Sequence, residues 1–283
     1  MNFALLLAYD GAAFRGWQKQ PGLATVQGVL EKALGHVVHG ASRTDAGVHA
    51  LGQVASFRSG RQPDFAALQL PPSLRLLRWA PVSPSFHARS SSVGKVYRYD
   101  FGSFVQNVQN AQTPPHWDRA RAALHGLDGL PEMPGIGSPS RDRKPAPPLT
   151  RWSLHDGVLE VEAPAFRKHE IRNIAGHLAA IALGYAAPES LRELAQRKRP
   201  WMGATAPSHG LTLVRVLYPA EIDPPPVTPA RARAVPSSSP KCACALRPAS
   251  SLTLTVSPRP PSSSCVKTRA GPGWVHVCCP STR

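Results

Sequence analysis

The sequence changes character after Tyr218, and this break limits how much of the chain can fold around a core. Residues 223–283 contain 12 prolines, 10 serines, eight Lys or Arg and a single acidic residue, Asp223. Runs such as Pro224–Pro226 and Ser237–Pro240 cannot sustain a helix or a central strand. We therefore predict a disordered basic tail over 223–283. A segment created by a shifted reading frame is the alternative.

The residues before the tail alternate between strand-like and helix-like segments. Apolar alternation or short apolar runs predict strands at Phe3–Tyr9, Gln53–Phe57, Leu74–Ala80, Lys95–Phe101, Val158–Ala163 and Leu211–Leu217. Helical spacing predicts helices on the face formed by Val26, Leu30, Ala33, Leu34 and Val37, over Ile171–Leu183 and from Pro188 to Arg197. This order predicts an α+β protein with one sheet and helices on one face.

Two halves are expected within this folded part. The first half spans residues 1–105 and the second spans 106–222. A stretch with six prolines, Pro131–Pro148, is predicted to be a long mobile loop in the second half.

The chain is strongly basic, which limits its partners. It has 33 Lys and Arg against 17 Asp and Glu, a formal net charge of +16 at pH 7. Such a surplus favours polyanions, nucleic acid among them. Without the tail, 25 basic and 16 acidic residues remain, so the front part still carries +9.

No segment resembles a membrane span or a secretory signal. The longest apolar runs, Phe3–Ala8 and Leu178–Leu183, are far too short to cross a bilayer. The amino terminus has no basic stretch ahead of a long apolar run. We therefore expect a cytoplasmic protein without membrane association.

The cysteines argue against a disulfide-framed secreted domain, because all five lie beyond residue 240. Zinc is the alternative role for them. The spacing is Cys-x-Cys in one place and Cys-Cys in another, and neither matches the two-residue gap of a zinc knuckle. We predict no metal site. The cysteines are Cys242, Cys244, Cys265, Cys278 and Cys279.

The segment 41–50 is the most informative for chemistry. Asp45 and Gly47 break regular structure, which predicts a turn before the apolar residues resume. A surface turn whose carboxylate bonds its own backbone is the ordinary explanation for such a pair. Here Arg43 and His49 flank the carboxylate and Gln53 follows, so a functional role is the alternative.

Five ordered blocks of the sequence resemble the tRNA pseudouridine synthase A family, over roughly residues 3–219. Arg43-Thr44-Asp45-Ala46-Gly47-Val48-His49-Ala50 resembles its catalytic signature. The other blocks are Tyr9-Asp10-Gly11 with Phe14 to Gln18 and Thr25 to Glu31; Phe86 to Arg89 with Lys95 to Tyr99; Phe166 to Gly176; and Gly203 to Pro207 with Gly210-Leu211. Together the five blocks are specific evidence for the resemblance, whereas one block alone would be weak evidence.

The resemblance implies a pseudouridine-synthase fold, in which two related halves share a largely antiparallel sheet and enclose a basic cleft. It implies isomerisation of uridine to pseudouridine at positions 38, 39 and 40 of the tRNA anticodon stem-loop. It also implies a homodimer. No cofactor is expected, because the leaving group is an already activated uracil anion.

The family's functional residues map onto this chain by position. Asp45 takes the role of nucleophile or base, and Arg172 is its expected ion-pair partner. Tyr97 corresponds to the aromatic residue that stacks on the uracil, and Arg43 to the residue that helps to extrude the base. Expected RNA contacts are Lys95, Arg98, Arg167, Lys168, His169 and Asn173. Further candidates are Arg192, Arg197, Lys198 and Arg199, which could instead complement a helix dipole.

Two departures concern substrate range rather than the reaction. The family often has His-Asp-Phe where this chain has Leu127-Asp128-Gly129, and Arg89 lacks the aromatic residue that usually follows it.

A different class of protein is also considered, namely a basic RNA-binding protein that has the same fold but no catalysis. Replacement of Asp45 distinguishes the two, because only an enzyme would lose its function.

Overall fold

The computed structural model describes residues 1–102, 104–105, 114–137, 147–197, 201, 203–220, 268–270 and 273–275. The chain divides into two compact units, Met1–Ala234 and Val235–Arg283. In the second unit, the short strands Thr268–Ala270 and Gly273–Val275 pair antiparallel. The remainder of the tail, with all five cysteines, lies outside the described residues, so the prediction of disorder stays a prediction.

The first unit is built on one mixed sheet of eight strands. They are β1 (Asn2–Tyr9), β2 (His39–Gly40), β3 (His49–Arg58), β4 (Leu74–Val82), β5 (Gly94–Asp100), β6 (Arg151–His155), β7 (Val158–Ala163) and β8 (Leu211–Leu217). The strand order is β4-β1-β3-β8-β5-β7-β6, and β2 pairs with β3. The β3–β8 pair is parallel and the other pairs are antiparallel. This arrangement confirms the predicted α+β fold with a largely antiparallel sheet.

Among the helices whose bounds the structure describes, four α-helices pack against one face of this sheet. They are α1 (Val26–Leu34), α2 (Trp117–His125), α3 (Glu170–Ala182) and α4 (Glu189–Gln196). Alternate side chains of β1 separate the two faces: Phe3, Leu5 and Leu7 join the large core that contains the buried residues of all four helices. Ala4 and Leu6 belong to a smaller cluster on the other face. Successive side chains of β1 therefore point alternately toward the helices and toward the other face of the sheet.

Local sequence explains where these helices begin and end. Thr25 caps α1, because its hydroxyl accepts the backbone N–H of Gly28 at 3.3 Å. Gly35 ends the same helix in the left-handed conformation, with φ of 72°. Helix α3 is buried around most of its circumference, which agrees with its nearly continuous apolar sequence.

Three features differ from the expectations or extend them. Helix α2 and strand β6 are present although the sequence analysis did not predict them. The start of the proline-rich stretch is part of the core, because Met133 and Ile136 are buried there. Residues 131–137 form no helix or strand and residues 138–146 lie outside the described ranges, so the mobile loop over 131–148 stays a prediction.

The expected boundary between the two halves, near residue 105, stays a prediction. Strand β5 precedes residue 105 in the chain, yet it lies between β8 and β7, among strands of the second half. The two groups of strands meet at the parallel β3–β8 pair, where His49 lies opposite Thr212. In the described part of the chain, no helix combines the length and apolarity that a membrane span requires.

Candidate active site

The loop that carries Asp45 connects β2 to β3 and is held by a glutamine from β3. The Gln53 side chain is fully buried. Its Nε2 donates to the Ser42 carbonyl at 2.8 Å, and its Oε1 accepts the Ser42 backbone N–H at 3.2 Å. A strand side chain thus replaces the backbone partners that this loop lacks, which fixes the loop at the residue before Arg43.

A second set of contacts fixes the loop beside the carboxylate. The Tyr9 and Thr44 hydroxyls lie 2.8 Å apart, and the Trp17 backbone N–H donates to the Thr44 carbonyl at 3.0 Å. Burial raises the pKa of Tyr9 to about 12, so its hydroxyl keeps its proton. The turn closes at Gly47, whose φ is +81°. Asp45 therefore extends from a loop whose flanking residues are immobilised.

Two basic side chains approach the same oxygen of Asp45. Arg172 Nη1 lies 3.3 Å from Asp45 Oδ2, and His169 Nε2 lies 3.5 Å from it. The Arg172 guanidinium is oriented by a bond from Nε to the Ala206 carbonyl at 2.8 Å. Arg172 is 17 % exposed, so its charge acts on the carboxylate through a partly desolvated medium, where ion pairing is stronger than in bulk water.

His169 occupies a strained position immediately before α3. Its φ is 62°, in the left-handed region that most side chains avoid. Burial lowers the pKa of His169; the Asp45 charge opposes this effect, and the charges of Arg172 and Lys168 add to it. The imidazole is therefore mainly neutral at pH 7 and faces a carboxylate.

The next residue, Glu170, is a carboxyl group buried in the wall of the cleft. Its Oε2 accepts the Arg167 backbone N–H at 2.7 Å and so closes the turn that presents His169. Among the described residues, its Oε1 has no hydrogen-bond partner. Burial raises the pKa of Glu170 to about 8, against a backbone hydrogen bond and a positive charge from Arg167 that lower it. Glu170 is therefore mainly a neutral acid at pH 7.

Tyr97 enters the site from β5. Its hydroxyl lies 2.8 Å from the Ser42 hydroxyl, and its ring meets Phe166 edge to face at a centroid distance of 5.3 Å. Burial is the main reason that the pKa of Tyr97 is raised well above its ordinary value, and Tyr9 and Asp45 add to the increase. Tyr97 thus combines an aromatic ring with a hydroxyl that stays protonated.

These residues line one cleft of about 800 Å³. The cleft takes residues from the loop between β2 and β3 on one side and from β5 and β8 on the other. Its acidic residues are Asp45 and Glu170, and its basic residues are Arg15, Arg43, Arg89, Lys95, Arg167, Lys168, His169 and Arg172. This volume admits a nucleotide, and the excess of positive charge favours an anionic ligand such as an RNA backbone.

Most of the residues predicted for the site come together in this cleft, including Asp45, Arg43, Tyr97 and Arg172. Lys95 also lines it, and its Nζ donates to Ser92 Oγ at 3.1 Å and to the Pro164 carbonyl at 3.4 Å. Burial and the Arg89 charge lower the pKa of Lys95.

Two predicted RNA contacts lie elsewhere. Arg98 follows Tyr97 in the strand, so it points to the opposite face, where it is exposed. Asn173 is buried: it donates to the Ile136 carbonyl and accepts from Thr205 Oγ1 at 2.7 Å. Its polar atoms therefore join loops beneath the cleft.

The basic candidates near α4 are also away from the cleft lining. Arg192 donates to the Gly126 carbonyl, a contact that joins α4 to the end of α2. Arg197 ends α4. Lys198 and Arg199 lie outside the described residues.

Four positions that support the site had no role predicted from the sequence. Gln53 and Ser42 hold the loop, Glu170 holds the turn before α3, and Arg15 adds a cation to the cleft. Only Gln53 gave a signal, because it follows the segment of Asp45 closely in the sequence. The other three lie in stretches where polar residues are ordinary.

Within the ranges that the structure describes, no three His, Cys, Asp or Glu side chains form a group that could hold a metal ion. The five cysteines of the zinc alternative lie outside those ranges. That alternative is therefore untested.

Comparison with known proteins gives a consistent result. Residues 98–219 match the family described as tRNA pseudouridine synthase. The chain is 35 % identical over 248 residues to tRNA pseudouridine synthase A of Maridesulfovibrio salexigens, an alignment that covers 76 % of this chain and 89 % of the relative. It is 37 % identical over 248 residues to the protein of that name from Methylococcus capsulatus, covering 78 % and 91 %. For the Coxiella burnetii protein the identity is 35 % over 243 residues, covering 77 % and 93 %.

Proposed function

Because this chain belongs to the tRNA pseudouridine synthase A family, we propose that it isomerises uridines 38, 39 and 40 in the anticodon stem-loop of tRNA, with Asp45 as the reacting carboxylate. The observation that carries this assignment is the position of Asp45. It lies in a cleft whose charged lining residues are mainly basic, 3.3 Å from a guanidinium that is itself held by the backbone of the loop at Ala206.

The chemistry requires one carboxylate and no external reactant. The bond between ribose C1′ and uracil N1 breaks, a bond between C1′ and C5 forms, and one proton moves from C5 to N1. Asp45 acts on the ribose as a nucleophile at C1′ or as a base at C2′. In either role Arg172 pairs with it, since Nη1 lies 3.3 Å from Asp45 Oδ2.

The remaining cleft residues bind and orient the nucleotide. The target base must leave its stack to reach Asp45, and Arg43, which lines the same cleft, assists this extrusion. The Tyr97 ring, fixed by Phe166 and Ser42, supplies a stacking surface for the uracil. Lys95, Arg167 and Lys168 contact phosphates next to the target.

The proposal includes two properties of the whole protein, a homodimer and a cytoplasmic location. A homodimer is supported by the resemblance of five ordered blocks to the family, in which one tRNA reaches across both subunits. Light scattering of the purified chain tests the dimer, and an expected mass near 61 kDa follows from 30.4 kDa per chain.

The test is turnover on an unmodified anticodon stem-loop tRNA, read by pseudouridine-specific chemical labelling. We expect product with the wild type and a loss of about 10⁴-fold or more with Asp45→Asn, which keeps the side-chain volume but removes the charge. Asp10→Asn is the control, because Asp10 is an exposed carboxylate whose partner His49 lies outside the lining of the cleft.

The substrate positions are tested with tRNAs in which each target uridine is replaced by cytidine. Loss of label at the replaced position, with the others kept, supports the assignment to 38, 39 and 40. A folded wild type that binds this tRNA but yields no pseudouridine would support the non-catalytic RNA-binding protein instead.

A further inference from the structure

Ser208 places in the cleft a hydroxyl to which the roles above give no function. The residue is half-buried and lines the same cleft as Asp45 and Arg172. Among the residues that the structure describes, none forms a hydrogen bond with its Oγ. A serine hydroxyl both donates and accepts hydrogen bonds, so this group can bind a polar atom of either kind on a ligand.

The loop that carries Ser208 is fixed to the guanidinium that pairs with the reacting carboxylate. The Ala206 backbone N–H donates to the Arg172 carbonyl at 2.9 Å, and Arg172 Nε donates to the Ala206 carbonyl at 2.8 Å. The next carbonyl, that of Pro207, accepts the Tyr99 hydroxyl at 3.1 Å. The two residues before Ser208 are therefore held in place by α3 and β5.

Ser208 also packs against the turn that carries Asp45. A Cβ built on Gly47 would lie 2.5 Å from Ser208 Oγ and 3.4 Å from its Cβ, so the hydroxyl occupies the space that glycine leaves open. Two chains of contacts, one through Arg172 and one through Gly47, thus fix the Ser208 hydroxyl relative to the carboxylate. Because Asp45 acts at C1′ or C2′, the ribose is the part of the nucleotide that this hydroxyl meets.

We propose that Ser208 binds the 2′-hydroxyl of the target nucleotide and so selects ribose over deoxyribose at that position. This inference rests on the proposed function. The 2′-hydroxyl distinguishes RNA from DNA, and it is attached to the carbon next to the one that uracil leaves. It donates and accepts as serine does, so the two groups are complementary. The cations of the cleft fit the phosphates better, because charge-assisted hydrogen bonds are stronger than neutral ones.

The experiment combines two proteins with two RNAs. The proteins are the wild type and Ser208→Ala. One RNA is an anticodon stem-loop tRNA with a single target uridine, the other targets being cytidine, and the second RNA has 2′-deoxyuridine at the same place. The intrinsic effect of the missing 2′-hydroxyl on the chemistry is common to both proteins, so it cancels when the two ratios of kcat/KM are compared.

We expect Ser208→Ala to lower kcat/KM for the uridine RNA about three- to tenfold, the range for one hydrogen bond. For the 2′-deoxyuridine RNA, which lacks the partner, the loss should stay within about twofold. This second measurement also shows whether the variant is folded. The inference is overturned if the two losses differ by less than about threefold, since Ser208 would then act only through the turn at Gly47 or not at all.

Ser190→Ala is the matched control for removal of a serine hydroxyl. Ser190 Oγ lies 2.7 Å from His177 Nε2, donates to the Ala187 carbonyl and is outside the lining of the cleft. Its replacement should change turnover of the two RNAs by the same factor.

Binding measurements separate this inference from the proposed function. Dissociation constants of both RNAs are compared between Asp45→Asn and the double variant Asp45→Asn, Ser208→Ala, neither of which needs to turn over. Absence of turnover in the wild type would contradict the proposed function, and the contact with ribose is then judged on these constants. A loss of affinity about threefold larger for the uridine RNA than for the 2′-deoxyuridine RNA supports the contact, and equal losses overturn it.

Discussion

Gly47 shows how one residue can determine the geometry of the site. Its φ of +81° favours glycine, and an added Cβ would lie 2.5 Å from Ser208 Oγ. The residue follows Asp45 by two positions, so any displacement of the turn moves the carboxylate. Glycine is therefore required at position 47 both by the positive φ and by the lack of space for a Cβ beside Ser208.

Replacement of Gly47 by alanine should reduce stability and turnover together. The left-handed backbone alone costs about 1–2 kcal/mol for an L-residue. The clash with Ser208 adds to this and shifts Asp45 from Arg172. Gly22→Ala is the matched control, because φ is +72° there and no atom lies within 4 Å of the new Cβ. Urea unfolding should show a loss in both variants, and the turnover assay a loss in Gly47→Ala alone. Equal turnover in the two would contradict the positioning role.

Glu170 gives a prediction about pH and stability. Burial raises its pKa to about 8 in the folded protein, from an ordinary value of 4.5. Between these values the folded state holds a proton that the unfolded state has released, so the free energy of unfolding should fall as pH rises from about 4.5 to about 8. At about 1.4 kcal/mol per pKa unit, the full effect is about 5 kcal/mol.

Glu170→Gln should abolish this pH dependence. Glutamine offers the Arg167 N–H the same carbonyl acceptor but does not titrate in this range. The two proteins should have similar stability near pH 4.5, and the variant should be the more stable near pH 8.5. Urea titrations of both proteins across this range measure the difference. Parallel curves would mean that Glu170 is ionised in the folded state.

At the scale of elements, the helices and strands with a strong apolar pattern were predicted from the sequence, and those with a weak pattern were not. Strands β1 and β5 and helix α3 have long apolar runs or clear alternation, because most of their residues are buried. Strand β6 lies at the sheet edge with only Leu154 buried, and α2 buries two alanines and a single leucine. Elements with so few buried apolar residues leave little periodicity to detect.

The residues of the site also fall into a group that the sequence predicted and a group that it did not. The residues proposed to react were found because the five blocks resemble a family, and the residues that hold them were not. Gln53 contacts Ser42 across 11 positions of sequence, and Arg172 reaches Ala206 across 34. Such pairs depend on which strands are neighbours in the sheet, and local pattern does not contain that information.

Because Gln53 of β3 holds the loop that carries Asp45, its replacement should lower turnover. Gln53→Met fills the same volume but leaves the Ser42 backbone groups and the Tyr9 hydroxyl without this partner. Buried polar groups left unpaired cost about 1–3 kcal/mol each. We expect a loss of a few kcal/mol in urea unfolding and a clear fall in turnover, since the loop that carries Asp45 loses its support.

Gln27→Met is the matched control for this strand variant. Gln27 in α1 donates to Glu31 and to the Val38 carbonyl, and it does not line the cleft. Its replacement should lower stability and leave turnover close to that of the wild type. If Gln53→Met keeps full turnover despite its lower stability, the loop does not depend on β3 for its catalytic position.

At the scale of the whole molecule, positive charge is distributed between two parts of the chain. Residues 1–222 carry +9 and line the cleft with several of their cations, and residues 223–283 carry +7 with one acidic residue among them. Because each phosphate that a protein neutralises releases condensed counter-ions, the salt dependence of binding reports how many phosphates are neutralised. The contribution of the tail to tRNA binding is therefore measurable without knowledge of its conformation.

Removal of residues 223–283 should separate binding from catalysis. All residues proposed for the site lie before residue 223, so turnover at saturating tRNA should match that of the full chain. The affinity for tRNA should fall, and the slope of log Kd against log salt concentration should decrease by about one for each phosphate that the tail neutralises in the full chain. A full-length variant with glutamine at the eight tail Lys and Arg positions controls for chain length and should give the same smaller slope. Identical slopes in the full chain and the truncated chain would confine the tRNA contacts to residues 1–222. The cations of the cleft would then account for all of the electrostatic binding.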